Sequence, residues 1–219
     1  MNMLAKYGAM SKYGANDPQA IVGVVMKVFT IVINIAVGIA VGGQPIVGYN
    51  YGAGKIKMVK ELLGLILVSN IILGIIATLI FQLFPEAIIK MFGSNSKNPD
   101  LYIEFGIKVV RIYLMLILFT IIQKVSSIFL QAIGNPIKAI ILSLVRDVIA
   151  FVPLTILLPL ALGINGILWS SVFADIIAII LTEILLLFEV RKMNKMFNTK
   201  KHNVCYAFLG YLYKTPNKE

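Results

Sequence analysis

The sequence predicts an all-α polytopic membrane bundle of five transmembrane spans, and three observations carry that expectation. Of the 219 residues, 59% are hydrophobic and only 14% charged, whereas soluble domains run to about 45–50% apolar and roughly 25% charged. Five apolar stretches reach the roughly 20 residues that cross a bilayer as a helix. Turn residues separate each from the next, at Gly52-Ala53-Gly54, Gly93-Ser94-Asn95, Gly134-Asn135-Pro136 and Gly163-Ile164-Asn165-Gly166. Spans of that length take up about 100 residues, so no separate soluble domain fits beside them.

The first span runs from about Ala20 to Val47. In it, Gly38 and Gly42 form a GxxxG pair that lets another helix approach, with Ala36 and Ala40 extending the small face. The second, Leu62 to Pro85, contains no charged residue and is long enough to cross with some tilt. The third, Ile103 to Ile122, carries Lys108 and Arg111. A polar stripe of Thr120, Gln123, Lys124, Ser127 and Gln131 continues it as one helix to Ile133. At 1.5 Å per residue that helix is about 46 Å long, more than the hydrocarbon thickness. Its last turns are expected to form a solvated helix end, or else to line a cavity. The fourth span, Ile137 to Leu162, holds Arg146, Asp147, Pro153 and Pro159. Each proline removes a backbone donor and favours a kink. The fifth, Ile164 to Phe188, holds Asp175 and Glu183, with Ser171, Asp175 and Thr182 on one stripe. Residues 191–219 form a basic tail, in which the apolar run Val204 to Tyr213 is too short to cross. It reads as an interfacial segment on anionic lipid or as topology-setting charge.

Orientation follows from the basic residues between spans. One side has Lys55, Lys57, Lys60, Lys124, Lys138, Arg191, Lys192, Lys195, Lys200, Lys201, Lys214 and Lys218, twelve in all, against Lys6, Lys12, Lys90 and Lys97 on the other. The C-terminus is therefore expected in the cytoplasm of a multi-pass plasma-membrane protein. The net charge of +10 then needs no nucleic acid as partner. Residues 1–14 have no apolar core of a signal peptide, and an external N-terminus without one implies a preceding helix. The single Cys205 and single His202 give neither a disulfide framework nor metal spacing, and read as a solvated pair. No Ser/His, paired-Asp or HExxH constellation suggests an enzyme, and no cofactor is expected. Gly54-Lys55 fails as a phosphate loop because Tyr49 and Ile56 stand where that motif needs Gly and Ser or Thr.

Charges inside spans are costly, by about 2.5–3.5 kcal/mol each at the helix centre, and normally face a partner in the bundle. Arg146 and Asp175 both fall near the midplane and pair first, as a structural lock between helices or as a substrate or proton site. Asp147 points about 100° away from Arg146 on an α-helix, so the two are not expected to share a partner. Glu183 lies nearer the cytoplasmic end. Lys27, Lys108 and Arg111 lie within about two or three turns of the outer interface and are expected to snorkel.

The string Gly43-Gln44-Pro45-Ile46 running into Gly48-Tyr49-Asn50-Tyr51-Gly52-Ala53 resembles the end of the second helix in the C-terminal half of the multidrug and toxic compound extrusion (MATE) transporters. Leu130-Gln131-Ala132-Ile133-Gly134-Asn135, Arg146 with Pro153-Leu154 and Leu158-Pro159, and Ala174-Asp175 resemble that half in the same order. Leu4-Ala5-Lys6-Tyr7-Gly8 is similar to the exit from the preceding helix, so the resemblance covers residues 1–190. It implies helices eight to twelve of a twelve-helix fold, a fragment lacking the first seven. It also implies alternating access, with cationic or amphipathic drugs exchanged for sodium ions or protons. The partners implied are the missing N-terminal lobe, membrane lipids and those drugs, and the fragment alone is expected to be inactive. The family's acidic coupling positions cannot be carried over: here the third span offers only Glu104, at its outer start. Asp147 departs from the pattern, in which a neutral polar residue is frequent. Two readings stand beside this one, half of a lipid-linked oligosaccharide flippase of the wider superfamily and a structural membrane remnant.

Overall fold

A computed structural model describes residues 2–14, 16–92 and 98–213, with side chains described only as far as residue 195. All regular structure among the described residues is helical: α1 (Asn2–Ala9), α2 (Asn16–Gly52), α3 (Ile56–Leu83), α4 (Pro85–Met91), α5 (Pro99–Tyr113), α6 (Ile117–Ala132), α7 (Pro136–Leu144), a π-helical segment (Val145–Ala150), α8 (Phe151–Leu162) and α9 (Ile164–Tyr213). Four helical stretches are long and apolar enough to cross a membrane, and the bent pair α5–α6 supplies a fifth. Proline opens α4, α5 and α7 in the first turn, where its missing N–H costs no intrahelical bond. Gly54, Gly134 and Gly163 take φ of +71°, +82° and +57°, so the connections after α2, α6 and α8 turn sharply where a side chain would be strained. The expected turn at Gly93-Ser94-Asn95 lies outside the described residues.

α6 is the central element, packed against α2, α3, α7 and α9. Its Ile117, Ile121 and Leu130 are fully buried, as is Leu114 just before it. The α7–α8 rod lies at the edge, held chiefly by α9. Ile140, Leu144, Val148, Ile149, Val152 and Leu160 remain exposed along it.

Two expectations are corrected here. The third span is not one straight helix to Ile133, because α5 and α6 meet at 43°. Between them the Met115 and Ile117 N–H groups reach only three residues back, to the carbonyls of Ile112 at 3.4 Å and Leu114 at 3.3 Å. Just after the bend α6 comes close to α3: a Cβ on Gly74 of α3 would lie 2.6 Å from Leu118 Cδ1 and 3.2 Å from its Cα. Secondly, the connection before α9 is Gly163 alone, with Ile164 to Gly166 inside the helix. In the fourth span the irregularity takes π form, with the Phe151 N–H bonded to the Arg146 carbonyl five residues back. The Pro153 ring would crowd the carbonyl of Ile149 in a regular α-helix, and the wider π turn sits just ahead of it.

Candidate functional site

The π segment positions the central charge. Arg146 lies about 15 Å along the rod from Pro136, and Asp175 about 16 Å along α9 from Ile164, each near the middle of its span. Both Arg146 Nε, at 2.8 Å, and Nη2, at 2.6 Å, reach Asp175 Oδ1. Thr120 of α6 donates to Asp175 Oδ2 across 3.4 Å. Asp175 is therefore held from two helices besides its own, and it is buried. Arg146 also donates from Nη1 to Asp147 Oδ1 at 2.8 Å. The long guanidinium stem bridges the angle between the two neighbours, and among the described residues Asp147 and Arg146 share no third partner. The two carboxylates differ in setting: the Asp147 side chain is 55% exposed and that of Asp175 only 6%.

A second polar level lies one to two turns further along the α6–α9 interface. Ser126 Oγ donates to Glu183 Oε1 at 3.0 Å. Gln123 lies between the two cross-helix contacts, is 1% exposed, and has neither its Nε2 nor its Oε1 hydrogen-bonded. The buried Ser127 Oγ also lacks a bond. Thr182 is buried and donates back to the Ala178 carbonyl at 2.7 Å, and Ser171 is buried on the same helix. Lys124 is half-buried beside this region. The stripe Thr120, Gln123 and Ser127 is thus protein-facing and not a solvated helix end, since all three are buried; only Gln131, at the end, is exposed. Ser126 was not legible as a partner, since it falls off the period of that stripe and α9 recruits it. Thr155 of α8 and Ser170 of α9 add a contact at 3.1 Å.

The comparisons with known proteins follow this geometry. The sequence model of the MatE family matches residues 8–157. The chain belongs to the MatE family. A curated relative, the "Probable multidrug resistance protein YoeA" of Bacillus subtilis (strain 168), is 26% identical over 187 residues, covering 84% of this chain and 39% of the relative. An inward-facing multidrug resistance MATE transporter of the MOP superfamily matches with TM-score 0.77 and 16% identity, over 88% of this chain and 44% of that one. A MOP superfamily transporter from Pyrococcus furiosus, described by the reverse polarity of its binding pocket, matches with TM-score 0.77 and 16% identity over 89% and 43%. The chain thus spans less than half the length of these relatives, and the structural matches establish the fold.

Within this MatE chain the glycine-rich string is a packing device. A Cβ on Gly43 would lie 2.6 Å from Ile66 Cδ1, and one on Gly48 would lie 3.3 Å from the Ala132 carbonyl oxygen. Gln44 sits in the crevice that α3 and α6 close with Leu63, Ile66 and Phe129. Asn50 is buried and donates to the Ile46 carbonyl at 2.8 Å, while Pro45 and Tyr49 are exposed and Gly52 ends α2. Gly38 and Gly42, by contrast, are exposed, and nothing among the described residues lies within 4 Å of a Cβ on either. The close approach expected at that pair occurs instead at Gly43 and Gly48, because α3 and α6 pack on the face of Ala36, Ala40 and Val47.

At the outer start of the third span, Lys12 donates to Glu104 Oε1 at 2.8 Å and Oε2 at 3.0 Å, and Tyr13 donates to Oε1 at 2.9 Å. The Glu104 carboxylate holds the Lys12 ammonium above its ordinary range. Burial, and then Glu104, push the Tyr13 phenol up. Lys27 and Arg111 are exposed and Lys108 half-buried. The side chains of His202 and Cys205 lie outside those described, and no metal-binding group of His, Cys, Asp and Glu occurs among the described residues.

Proposed function

We propose that the chain forms one lobe of a multidrug efflux transporter, which exchanges cationic or amphipathic drugs for sodium ions or protons by alternating access against a companion lobe. One observation carries this reading beyond family membership: Asp147, near the middle of a span, is 55% exposed. A carboxylate at that depth is too costly to face lipid, so the edge it occupies is read as facing a polar cavity or another protein element. Family relatives more than twice as long support the second half of that reading. Such cavities form at the interface of two helical repeats near the midplane. The proposed orientation places the C-terminus in the cytoplasm, from the twelve-to-four bias of basic residues.

By this reading the lobe is transport-incompetent alone, because it supplies only one wall of the cavity. Inverted vesicles containing only this chain should accumulate no more of a fluorescent cationic dye than empty vesicles, under either a sodium or a proton gradient. Accumulation above that baseline would sink the proposal of incompetence. A second reading, half of a lipid-linked oligosaccharide flippase, is favoured by exposed Lys27, which shares a face of α2 with exposed Thr30 and Asn34. It predicts that a pyrophosphate-linked lipid, and not a cationic dye, competes for labelling of a Lys27→Cys variant.

A further inference from the structure

We propose that Glu183, with Gln123 and Ser126, forms a site for a small monovalent cation, a proton or an alkali-metal ion, on the α6–α9 seam. Glu183 is a half-buried carboxylate inside a span, and its one hydrogen-bond donor among the described residues is the neutral Ser126 hydroxyl. No ion pair reaches it among those residues, whereas Asp175, about 12 Å away along the same helix, takes Arg146. An uncompensated carboxylate in a low-dielectric setting is expensive, and binding a cation removes the charge.

The second observation is independent of the acid. Thr120 and Ser126 both reach α9, at Asp175 and Glu183, and Gln123 lies half-way between them on the same parallel interface. Gln123 is 1% exposed and both its amide atoms are unpartnered among the described residues, as is Ser127 Oγ, one turn on. Leaving such groups unsatisfied costs about 1–3 kcal/mol each. A primary amide suits a carboxyl group in either state: it donates N–H to the ionised form and offers C=O to the protonated form or to a bound metal ion. For the proton, hydronium transfers H⁺ to a Glu183 carboxylate oxygen and leaves as water, with no change in electron count. No charged side chain among the described residues acts on Glu183; the nearest charged groups along the helices packed here are Lys124 of α6, Asp175 and Glu189 of α9, Arg146 and Asp147 of the π segment, and Lys138 of α7. Among them, Asp175 is paired with Arg146, Asp147 with Arg146, and Glu189 with Lys138. Lys124 lies one residue from Gln123 on the turn toward Arg146. The role of this site in driving transport rests on the transporter reading; the binding itself does not.

The test is infrared difference spectroscopy on the full chain in lipid vesicles. One arm steps the pH in choline buffer, and the other exchanges choline for sodium at fixed pH. The wild-type chain should show a protonated-carboxyl band that responds in one arm or both, and the responding arm identifies the cation. Glu183→Gln should lose that band, whereas Asp175→Asn should keep it. Gln123→Leu and Ser126→Ala, which retain the acid, should each shift the midpoint by about tenfold or more. A Glu183→Gln spectrum identical to wild type in both arms overturns the site, as do unshifted midpoints in both Gln123→Leu and Ser126→Ala. Cation-driven dye efflux by an assembled transporter with Glu183 silent would remove this site and leave the transporter reading standing. A responsive Glu183 without such efflux would do the reverse.

Discussion

Arg146 holds one guanidinium against two carboxylates in unlike surroundings, and the inequality dictates how its variants should behave. Removing one member of a buried pair strands the other as an uncompensated charge, at about 3–5 kcal/mol. Arg146→Gln and Asp175→Asn should each cost that much in unfolding titrations monitored by circular dichroism in mixed micelles. Asp147→Asn should cost far less, because its carboxylate is 55% exposed and water screens it. The double variant Arg146→Met with Asp175→Leu should recover most of the loss, since replacing both charges removes the desolvation cost with them. A double variant as unstable as either single one would show that the helices need the ion pair itself. The Arg146–Asp175 contact was legible from depth alone, as both residues count to the middle of their spans. Arg146–Asp147 was not, because α-helical directions misjudge a π turn carrying a long side chain. Nor was the isolation of Gln123, which depends on what the helices packed around α6 offer it and so on elements far apart in sequence.

At the scale of elements, glycine separates helix contacts that are tight from helix faces that are open. A Cβ on Gly166 of α9 would lie 2.4 Å from the Leu158 carbonyl oxygen, 2.5 Å from its carbonyl carbon and 2.7 Å from Pro159 N. These are backbone atoms and cannot rotate away, so Gly166→Ala should destabilise by about 3 kcal/mol, the upper end of overpacking costs. It should also loosen the α8–α9 contact that holds the edge rod. Gly38→Ala, with open space around it, should instead stabilise α2 by about 0.5–1 kcal/mol through helix propensity. Thermal unfolding of the two variants in detergent should therefore move in opposite directions, and a loss in both would mean that Gly38 already meets a neighbour. The sequence marked Gly38 as a close-approach position and Gly166 as a turn residue, and the fold reverses these roles because α8 folds back onto α9 at Gly166 while α3 and α6 pack on another face of α2 than that of Gly38. The 43° bend between α5 and α6 escaped for the same reason. Leu114, Met115 and Leu116 hold neither Pro nor Gly to announce it, and the close approach beside it, at Gly74, depends on α3. The five spans themselves were readable, since hydrophobic length needs no tertiary partner to reveal it.

For the whole molecule, the distribution of charge yields a statement about sidedness. The positive-inside bias places Lys55, Lys57, Lys60, Lys124 and Lys138 with the tail on one side. The fold makes this consistent. α6 and α9 run parallel, since Thr120 meets Asp175 and Ser126 meets Glu183, so Lys12 and its partner Glu104 near the start of α5 lie toward the end where α9 begins, while residues 191–213 continue α9 at the opposite end. The Lys138–Glu189 and Lys60–Asn194 contacts tie α9, just past the end of the fifth span, to α7 and α3. Cys205 is the only cysteine in the sequence, which makes a labelling experiment unambiguous. A membrane-impermeant maleimide should leave the wild-type chain unmodified in intact cells and modify it in inverted vesicles. A Lys12→Cys variant in a Cys205→Ser background should show the opposite pattern. Labelling of Cys205 from outside would invert the whole assignment. It would then place Glu183 near the external surface, so that any cation reaching the α6–α9 seam would enter from outside the cell.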